Sequence, residues 1–414
     1  MPLRVIVIGA GVAGLTAAVS LCRAGHEVKI FERSAFAGEV GAALNLAPNG
    51  TKVLRELGFD EERARCVQML NWDTVNGVTL DRIACQDVSQ ASERFGAPYV
   101  AVHRVDLHEE LMRLAAVNQP GGVHLHLSSP VVRIYQEEGL VEFEDGSVEQ
   151  ADLIVGADGL HSITRAAVVS TTAQSTGLSA FRFLVPTEVL ENDRAGQELL
   201  DWKSPGATML ADPGSFTVDQ ERHLMWYPCR RQESPNFVGI HPTVAGPQPE
   251  TPEEFKLQML REFGNFHPRV VEILKLGEVV KCWPLFQIDP LPTWTSGKLV
   301  LIGDAAHPML PFGGQGSNQA IEDGGAIGFL LVNVDDETQL PQRLQLFDQL
   351  RRRRASRVQI LSSVRANRES VVEDKIKPFM EDGVICEIPE SVKFHSRLIQ
   401  VVPNSFPARV SHDA

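Results

Sequence analysis

The chain is 414 residues long and lacks the patterns that mark several common protein classes. Its twelve histidines include no HExxH, and its six cysteines, at 22, 66, 85, 229, 282 and 386, form no CxxC pair and no regular spacing. Neither a zinc site nor a disulfide framework is expected, so the cysteines read as core packing in a reducing compartment, the cytoplasm. His124 and His126 alternate along VHLHL and read as a solvated strand face; no metal is expected. Internal repeats and low-complexity linkers are absent. Basic residues are in deficit, 39 against 53 acidic, for a formal charge of −14, which excludes nucleic acid and anionic membrane as expected partners. Long apolar runs are also scarce: only Val5 to Cys22 approaches spanning length, and Arg4 before it could imitate the start of a signal peptide. Glycines inside that run, and the lack of a small-residue cleavage pattern after it, argue for a soluble strand-turn-helix unit. The C-terminal SHDA is no recognised address.

What is present begins in RVIVIGAGVAGLTAAVSLCRAGHEVKIFER. A β-branched strand leads into GxGxxG, made of Gly9, Gly11 and Gly14, then an Ala/Leu/Val helix that Gly25 can end, then a second strand reaching Glu32. Gly9 permits the tight turn, Gly11 the approach of a pyrophosphate, and Gly14 close helix–strand packing, with the helix N-terminus facing phosphate charge. Glu32, with Arg33 beside it, stands where a carboxylate would accept ribose hydroxyls. The unit predicts dinucleotide binding without separating NAD from FAD.

Further along, PNGTKVLRELG reads as a helix capped by Asn49 or Pro48 and closed by Gly58. Residues 66–86 read as a hairpin turning at Asn76-Gly77. DLHEELMRLAA reads as a helix with Asp106 as cap and Glu109 completing a capping box. Short strands follow near 123–127, 130–136 and 140–144, then DLIVGADG. From 176 to 288 the composition turns to short strands rich in Pro and Gly, with a helical patch near 253–275; from 298 an apolar strand returns, followed by helices to about 370 and an unassigned tail. The order predicts an α/β fold whose first and third sections form one nucleotide-binding domain, interrupted by a mostly antiparallel sheet that roofs the crevice. The expected boundaries are cofactor-binding segments at 1–65, 101–175 and 289–340, a hairpin at 66–100 and a segment at 176–288 for the substrate sheet, and C-terminal helices and tail at 341–414.

Two later motifs carry a resemblance. GADGLHSITR gives DGxxSxxR from Asp158 to Arg165, and GDAAHPMLPFGGQG follows the strand LVLI. In this order with GxGxxG, the chain resembles the class A FAD-dependent monooxygenases, the single-component aromatic hydroxylases similar to salicylate hydroxylase and para-hydroxybenzoate hydroxylase. The likeness runs to about residue 365. It implies a Rossmann-type FAD-binding domain with an inserted, mostly antiparallel β-sheet substrate domain and C-terminal helices. It further implies FAD, with NADPH or NADH as a transient co-substrate, because a second GxGxxG for a separate nicotinamide domain is missing. By the same resemblance Asp158, Gly159, Ser162 and Arg165 lie near the pyrophosphate, and Asp304 accepts the ribityl hydroxyls. Pro311 lies beside the flavin ring, and Gly313, Gly314 and Gly316 let the backbone pass close to it. Gly41, Ala42 and Ala43 face the flavin edge, and Arg104 hydrogen-bonds the cofactor. A helix starting near Ser317 turns its positive end toward the N1 and O2 edge of the ring. The implied chemistry is oxygen transfer to a small aromatic substrate from a flavin C4a-hydroperoxide formed with O2.

Substrate activation rests on fewer signals. In ERHLMWYPCR, His223, Met225 and Tyr227 share one strand face and Leu224 and Trp226 the other, and both faces are apolar enough to line a pocket. His223 either takes a phenolic proton as general base or packs as a core histidine; Tyr227 orients the ring or packs. Arg182, in AFRFLVP, needs a counter-ion that a substrate carboxylate or phenolate, or a structural acid, would supply. RRRR at 351–354 reads as a solvated helix face. The alternatives are a flavin epoxidase, halogenase or reductase of related fold acting on a secondary metabolite, with the missing WxWxIP counting against halogenation. A non-catalytic flavin-fold escort is opposed by the intact GD loop. A monomer or a homodimer is expected.

Overall fold

The computed structural model describes residues 1–35, 43–117, 122–214, 220–246, 249–364 and 369–380. Gly41 and Ala42 therefore lie outside the described residues, as does the tail beyond 380.

Three distant stretches of chain build the nucleotide sheet. Its strands lie in the order Thr295–Ser296, Leu299–Leu301, Leu153–Gly156, Arg4–Ile8, Glu27–Phe31 and Val123–His126. All pair in parallel except the edge pair Thr295–Ser296 with Leu299–Leu301. Buried on both faces, the central strands are continuous apolar runs, as parallel strands are. Helix α1 (Val12–Arg23) packs on Arg4–Ile8 through the predicted glycines. Gly9 has φ +102°, and a Cβ on Gly14 would lie 1.9 Å from the Gly9 carbonyl oxygen. His124 and His126 are exposed, as the alternation predicts, although His126 also stacks on Phe31 at 4.7 Å.

The second sheet has seven strands, ordered Lys281–Gln287, Gln174–Leu184, Asn236–Pro242, His223–Tyr227, Gly206–Ala211, Asn71–Asn76 and Arg82–Asp87. Only the pair Gly206–Ala211 with Asn71–Asn76 is parallel. One face carries Val75, Phe181, Leu224, Trp226 and Phe237 against the helices Pro252–Glu262 and Pro268–Leu276. The other carries Ala180, Tyr227, Val238 and Ile240 toward the nucleotide domain.

Several local expectations are corrected. Helix α2 (Pro48–Glu56) has Ala47, not Asn49 or Pro48, at its N-cap, with Pro48 in the first turn, where its missing N–H costs nothing. The helix Arg104–Val117 starts two residues before Asp106, whose carboxylate takes Arg65 at 2.8 Å instead of capping. The hairpin closes through a loop in which Asn76 N–H reaches Asp81 O, not a two-residue turn, and Gly77 is required because a Cβ would meet the Phe266 ring at 2.5 Å. The helices Thr187–Glu191 and Arg194–Trp202 were not expected, since Pro and Gly around them masked a good signal: Asp193 caps the second by accepting Gly196 N–H at 2.9 Å. Two long C-terminal helices follow, α3 (Gly316–Leu330) and α4 (Leu340–Leu361).

Candidate functional site

Two cavities lie end to end along the carboxyl ends of the parallel strands. One, of about 270 Å³, is lined by Gly9, Gly11, Glu32, Arg33, Arg104, Asp158 and Gly159 among others. The other, of about 330 Å³, runs from Gly11 and Asp304 past Pro311, Gly314 and Gly316 to the second sheet. Arg104 and Gly11 border both.

Of the groups predicted around the first cavity, Gly9, Gly11, Glu32, Arg33, Arg104, Asp158 and Gly159 line the cleft, whereas Gly14 serves helix packing and Ser162 and Arg165 do not line it. Glu32 is oriented by its own turn, its oxygens accepting Ala10 N–H and Ser34 N–H, each at 2.9 Å. Each oxygen keeps a lone pair for a further donor. Asp158 is spent locally: it accepts Ile163 N–H at 2.8 Å, Thr164 N–H at 3.0 Å and the hydroxyls of Ser162 and Thr164. It thereby fixes the turn that brings Gly159 to the cleft. Arg165 donates to the Asp304 and Ala305 carbonyls at 3.2 and 3.1 Å, joining the DG and GD segments.

The glycines test whether a ligand belongs here. A Cβ on Gly11, Gly159, Gly314 or Gly316 would meet no protein atom within 4 Å, yet all four line the cavities. Gly159 and Gly314 need glycine for their positive φ of +80° and +60°, whereas nothing in the protein requires it at Gly11 or Gly316. Space kept open against the backbone suits a close-lying planar or phosphate group. Gly11 and Gln315, the N-caps of α1 and α3, supply no side-chain cap, so first-turn N–H groups of both helices are left to whatever fills the cleft. The cradle fits the dinucleotide that the motifs predict. Gly313 is a correction: its Cβ would strike Ser362 Oγ at 2.8 Å, and it faces α4 rather than the cleft.

Asp304 exposes its side chain into the cavity, and desolvation by the protein packed around it raises its carboxyl above the usual range against the pull of His307, Arg104 and Arg165. Gly303, at φ +58°, makes the turn that presents it. Behind that turn lies a network the sequence did not suggest. Asp323 of α3 accepts Gly303 N–H at 3.0 Å, lies 2.5 Å from His307 Nε2 and accepts Arg351 Nε at 2.8 Å. Glu322 accepts Arg351, Arg354 and Asn49 at 2.5 to 2.8 Å. Burial opposes the charge, but Arg354 and Arg351 hold the Glu322 carboxyl down at about 2. Arg351 and Arg354 are 6% and 7% exposed, so the arginine run is no solvated face: two of its four members point inward. Helical spacing was the available signal, since 351 and 354 share one face three apart. Asn318, fully buried, ties the Ala43–Leu46 strand to the Gly314 turn by accepting Ala47 N–H and donating to Asn45 and Gly314 carbonyls, each at 2.9 Å.

At the second-sheet end the question of faces is answered by position. His223, Met225 and Tyr227 line the cavity, while Leu224 and Trp226 join the helix-covered core. Tyr227 is fully engaged: its hydroxyl donates to Ala43 O at 2.7 Å, and burial raises its pKa. His223 Nδ1 lies 2.8 Å from Glu221 Oε1, and its ring is 5.5 Å from Phe312. Arg182 faces the same cavity. Its Nε is buried without a partner, its guanidinium sits 5.8 Å from the Trp283 ring, and burial pulls its pKa down. Trp72, Met209, Val238, Ile240 and Phe312 complete the wall. Sequence reading missed them because an apolar residue on a strand carries no sign of which cavity it faces.

Comparison with known proteins agrees with this geometry. A family model described as FAD binding domain matches residues 2–361. The chain is 34% identical to hispidin-3-hydroxylase of Neonothopanus nambi, covering 85% of this chain and 86% of that protein. It is 33% identical to 3-hydroxybenzoate 6-hydroxylase of Polaromonas naphthalenivorans, covering 87% and 86%. Among solved structures, a salicylate hydroxylase substrate complex superposes with a TM-score of 0.70 at 28% identity, covering 87% of each chain. Among the described residues no helix is long and apolar enough to cross a membrane.

Proposed function

Because the chain belongs to the FAD-binding-domain family of FAD-dependent aromatic hydroxylases and is itself an FAD-dependent monooxygenase, we propose that it hydroxylates a small phenolic or heteroaromatic compound carrying negative charge, using NAD(P)H and O2. One observation carries the choice of substrate: Arg182, charged at any ordinary pH, is buried at the cavity with an unpartnered Nε. A buried guanidinium N–H without an acceptor is costly, and a carboxylate or phenolate in the cavity would relieve it with charge-assisted hydrogen bonds. The 3-hydroxybenzoate of one relative's name is a compound of this kind.

FAD, when bound, accepts hydride and activates O2 so that one oxygen atom passes to an electron-rich carbon. The protein's own groups have the remaining tasks. Glu32 and Arg104, which line the first cavity, would hold the dinucleotide arm, and Asp304, at the second, would meet the chain that links it to the ring. The N-terminus of α3 favours negative charge at the ring edge it faces. Trp72, Met209, Val238, Ile240 and Phe312 exclude water from the reacting carbon. Arg182 orients the anionic end, Tyr227 packs against the ring with its hydroxyl held by Ala43, and His223 takes the hydroxyl proton that must leave for the ring to become nucleophilic.

The test is the anaerobic rate at which NADPH or NADH bleaches the bound flavin, measured with and without 3-hydroxybenzoate, salicylate, 6-hydroxynicotinate and neutral indole. Acceleration by the anionic phenols and not by indole is expected. Equally fast reduction with nothing added would sink the substrate-gated monooxygenase and favour a reductase.

A further inference from the structure

Glu221 stands just before the strand His223–Tyr227, and with a period of two its side chain and that of His223 share a face. The intervening Arg222 turns the other way, to Glu262 at 2.7 Å. Glu221 Oε1 lies 2.8 Å from His223 Nδ1, and both side chains are sequestered, 13% and 4% exposed. A carboxylate only accepts, so the hydrogen in this contact belongs to Nδ1. A neutral imidazole protonated at Nδ1 has its lone pair on Nε2.

We propose that Glu221 is a positioning residue that fixes His223 in the Nδ1–H tautomer, making Nε2 the atom that receives the proton of a substrate hydroxyl at this wall. The proposal rests on the reading of His223 as base. In the step, the substrate O–H bond breaks and Nε2–H forms; the electron pair stays on the substrate oxygen, and nothing is oxidised or reduced. The imidazolium that results is held against the Glu221 carboxylate, while the new phenolate shares the cavity with Arg182. Charge separation across the pocket is thus met at both ends. The other ionisable groups lining the cavity are Arg104, Arg182, Tyr227 and Asp304. Tyr227 does not compete for the proton, because its hydroxyl is donated to Ala43 O. A carboxylate that merely anchored the start of the strand would serve equally well against either nitrogen. Because Glu221 is found at Nδ1, the tautomer tests the contact itself, and the pH profile of substrate-stimulated reduction separates a carboxylate that serves the base from one that only anchors the strand.

The experiment is nitrogen-15 NMR of the FAD-loaded enzyme labelled in its histidine rings, with the His223 signals assigned by their loss in His223→Gln. The wild type is expected to show a neutral Nδ1–H ring at His223 above its titration. Glu221→Ala is expected to shift the population to Nε2–H. Glu221→Gln, which still accepts the hydrogen bond but carries no charge, is expected to keep the tautomer and lower the proton affinity about tenfold. An Nε2–H ring in the wild type, or a tautomer unchanged in Glu221→Ala, would overturn the assignment. The base reading is tested separately, by the pH profile of flavin reduction stimulated by 3-hydroxybenzoate. If His223→Gln leaves that profile unmoved while the tautomer is as expected, His223 is not the base and Glu221 remains its orienting partner.

Discussion

Arg351 donates its Nε hydrogen to Asp323 Oδ1 at 2.8 Å, and through this contact the last long helix reaches the loop that presents Asp304. The other oxygen of Asp323 holds Gly303 N–H and His307, so one buried carboxylate couples α4, α3 and the GD turn. Replacing Arg351 by methionine leaves Glu322 with Arg354 and deprives Asp323 of its guanidinium. Loss of about 3–5 kcal/mol is expected, as for breaking a buried ion pair. Chemical denaturation of the apoprotein would measure it, and a change below 1 kcal/mol would show the network to be dispensable.

The same network sets an acid limit. Glu322 falls from 4.5 to about 2 on folding, so its contribution is complete above pH 4.5 and is lost as pH falls toward 2. The depression corresponds to about 3 kcal/mol. Denaturant midpoints followed from pH 5 downward should fall steeply in the wild type. In Glu322→Gln, less stable at every pH, the slope over that window should flatten; an unchanged slope would assign acid sensitivity elsewhere.

Glycines of one motif should separate cofactor binding from folding. Gly11→Ala places a methyl in the open cleft, and a large loss of FAD affinity with little change in apoprotein melting is expected. Gly14→Ala, whose Cβ would overlap the Gly9 carbonyl, should lower apoprotein melting first. Flavin fluorescence titration and thermal melting together decide this. Equal melting losses in the two variants would contradict the division.

Arg182→Met should weaken anionic substrates by about 1.5–3 kcal/mol, the worth of a charge-assisted hydrogen bond, while leaving FAD affinity intact. Substrate-free thermal stability should hold or rise, because a buried N–H without an acceptor has been removed. A fall in both quantities would mark Arg182 as structural.

Tyr227→Phe tests a more modest role. Its hydroxyl serves the Ala43 carbonyl, so the variant should lose about 1 kcal/mol of stability and less than tenfold in turnover. A loss in turnover of a thousandfold would make the hydroxyl part of the proton transfer.

The nucleotide half of the protein was legible because its signals are local. Gly9, Gly14 and Gly25 each sit where backbone geometry permits little else, and the apolar strand before Asp158 announces a buried parallel strand. The sequence motifs also located the cleft at Glu32, Arg104 and Asp304. Roles fixed by tertiary contact were not legible. Gly313 looks like its neighbours until α4 packs on it, and Arg351 looks like Arg352 until α3 supplies two acids. The faces of His223–Tyr227 were symmetric in hydrophobicity, and only the helices covering Leu224 and Trp226 broke the tie. Asn49 read as a cap because caps are where asparagine usually serves. Its burial beside Glu322 depends on a segment far along the chain.

The nucleotide sheet sets a timetable for the newly made chain. Arg4–Ile8 and Glu27–Phe31 emerge from the ribosome early, but the strand Leu153–Gly156 that covers their open edge is made much later, and Leu299–Leu301 later still. At about 5–20 residues per second, the wait from the first strand to the last is roughly 15–60 seconds. During that time a β-branched edge stands unpaired, and the carboxylate that holds the GD turn lacks its guanidinium partner until Arg351 has been added. The cleft thus closes around its cofactor only after residues 299–351 have been made, and slow emergence of that stretch would prolong exposure of the edge to aggregation and proteolysis.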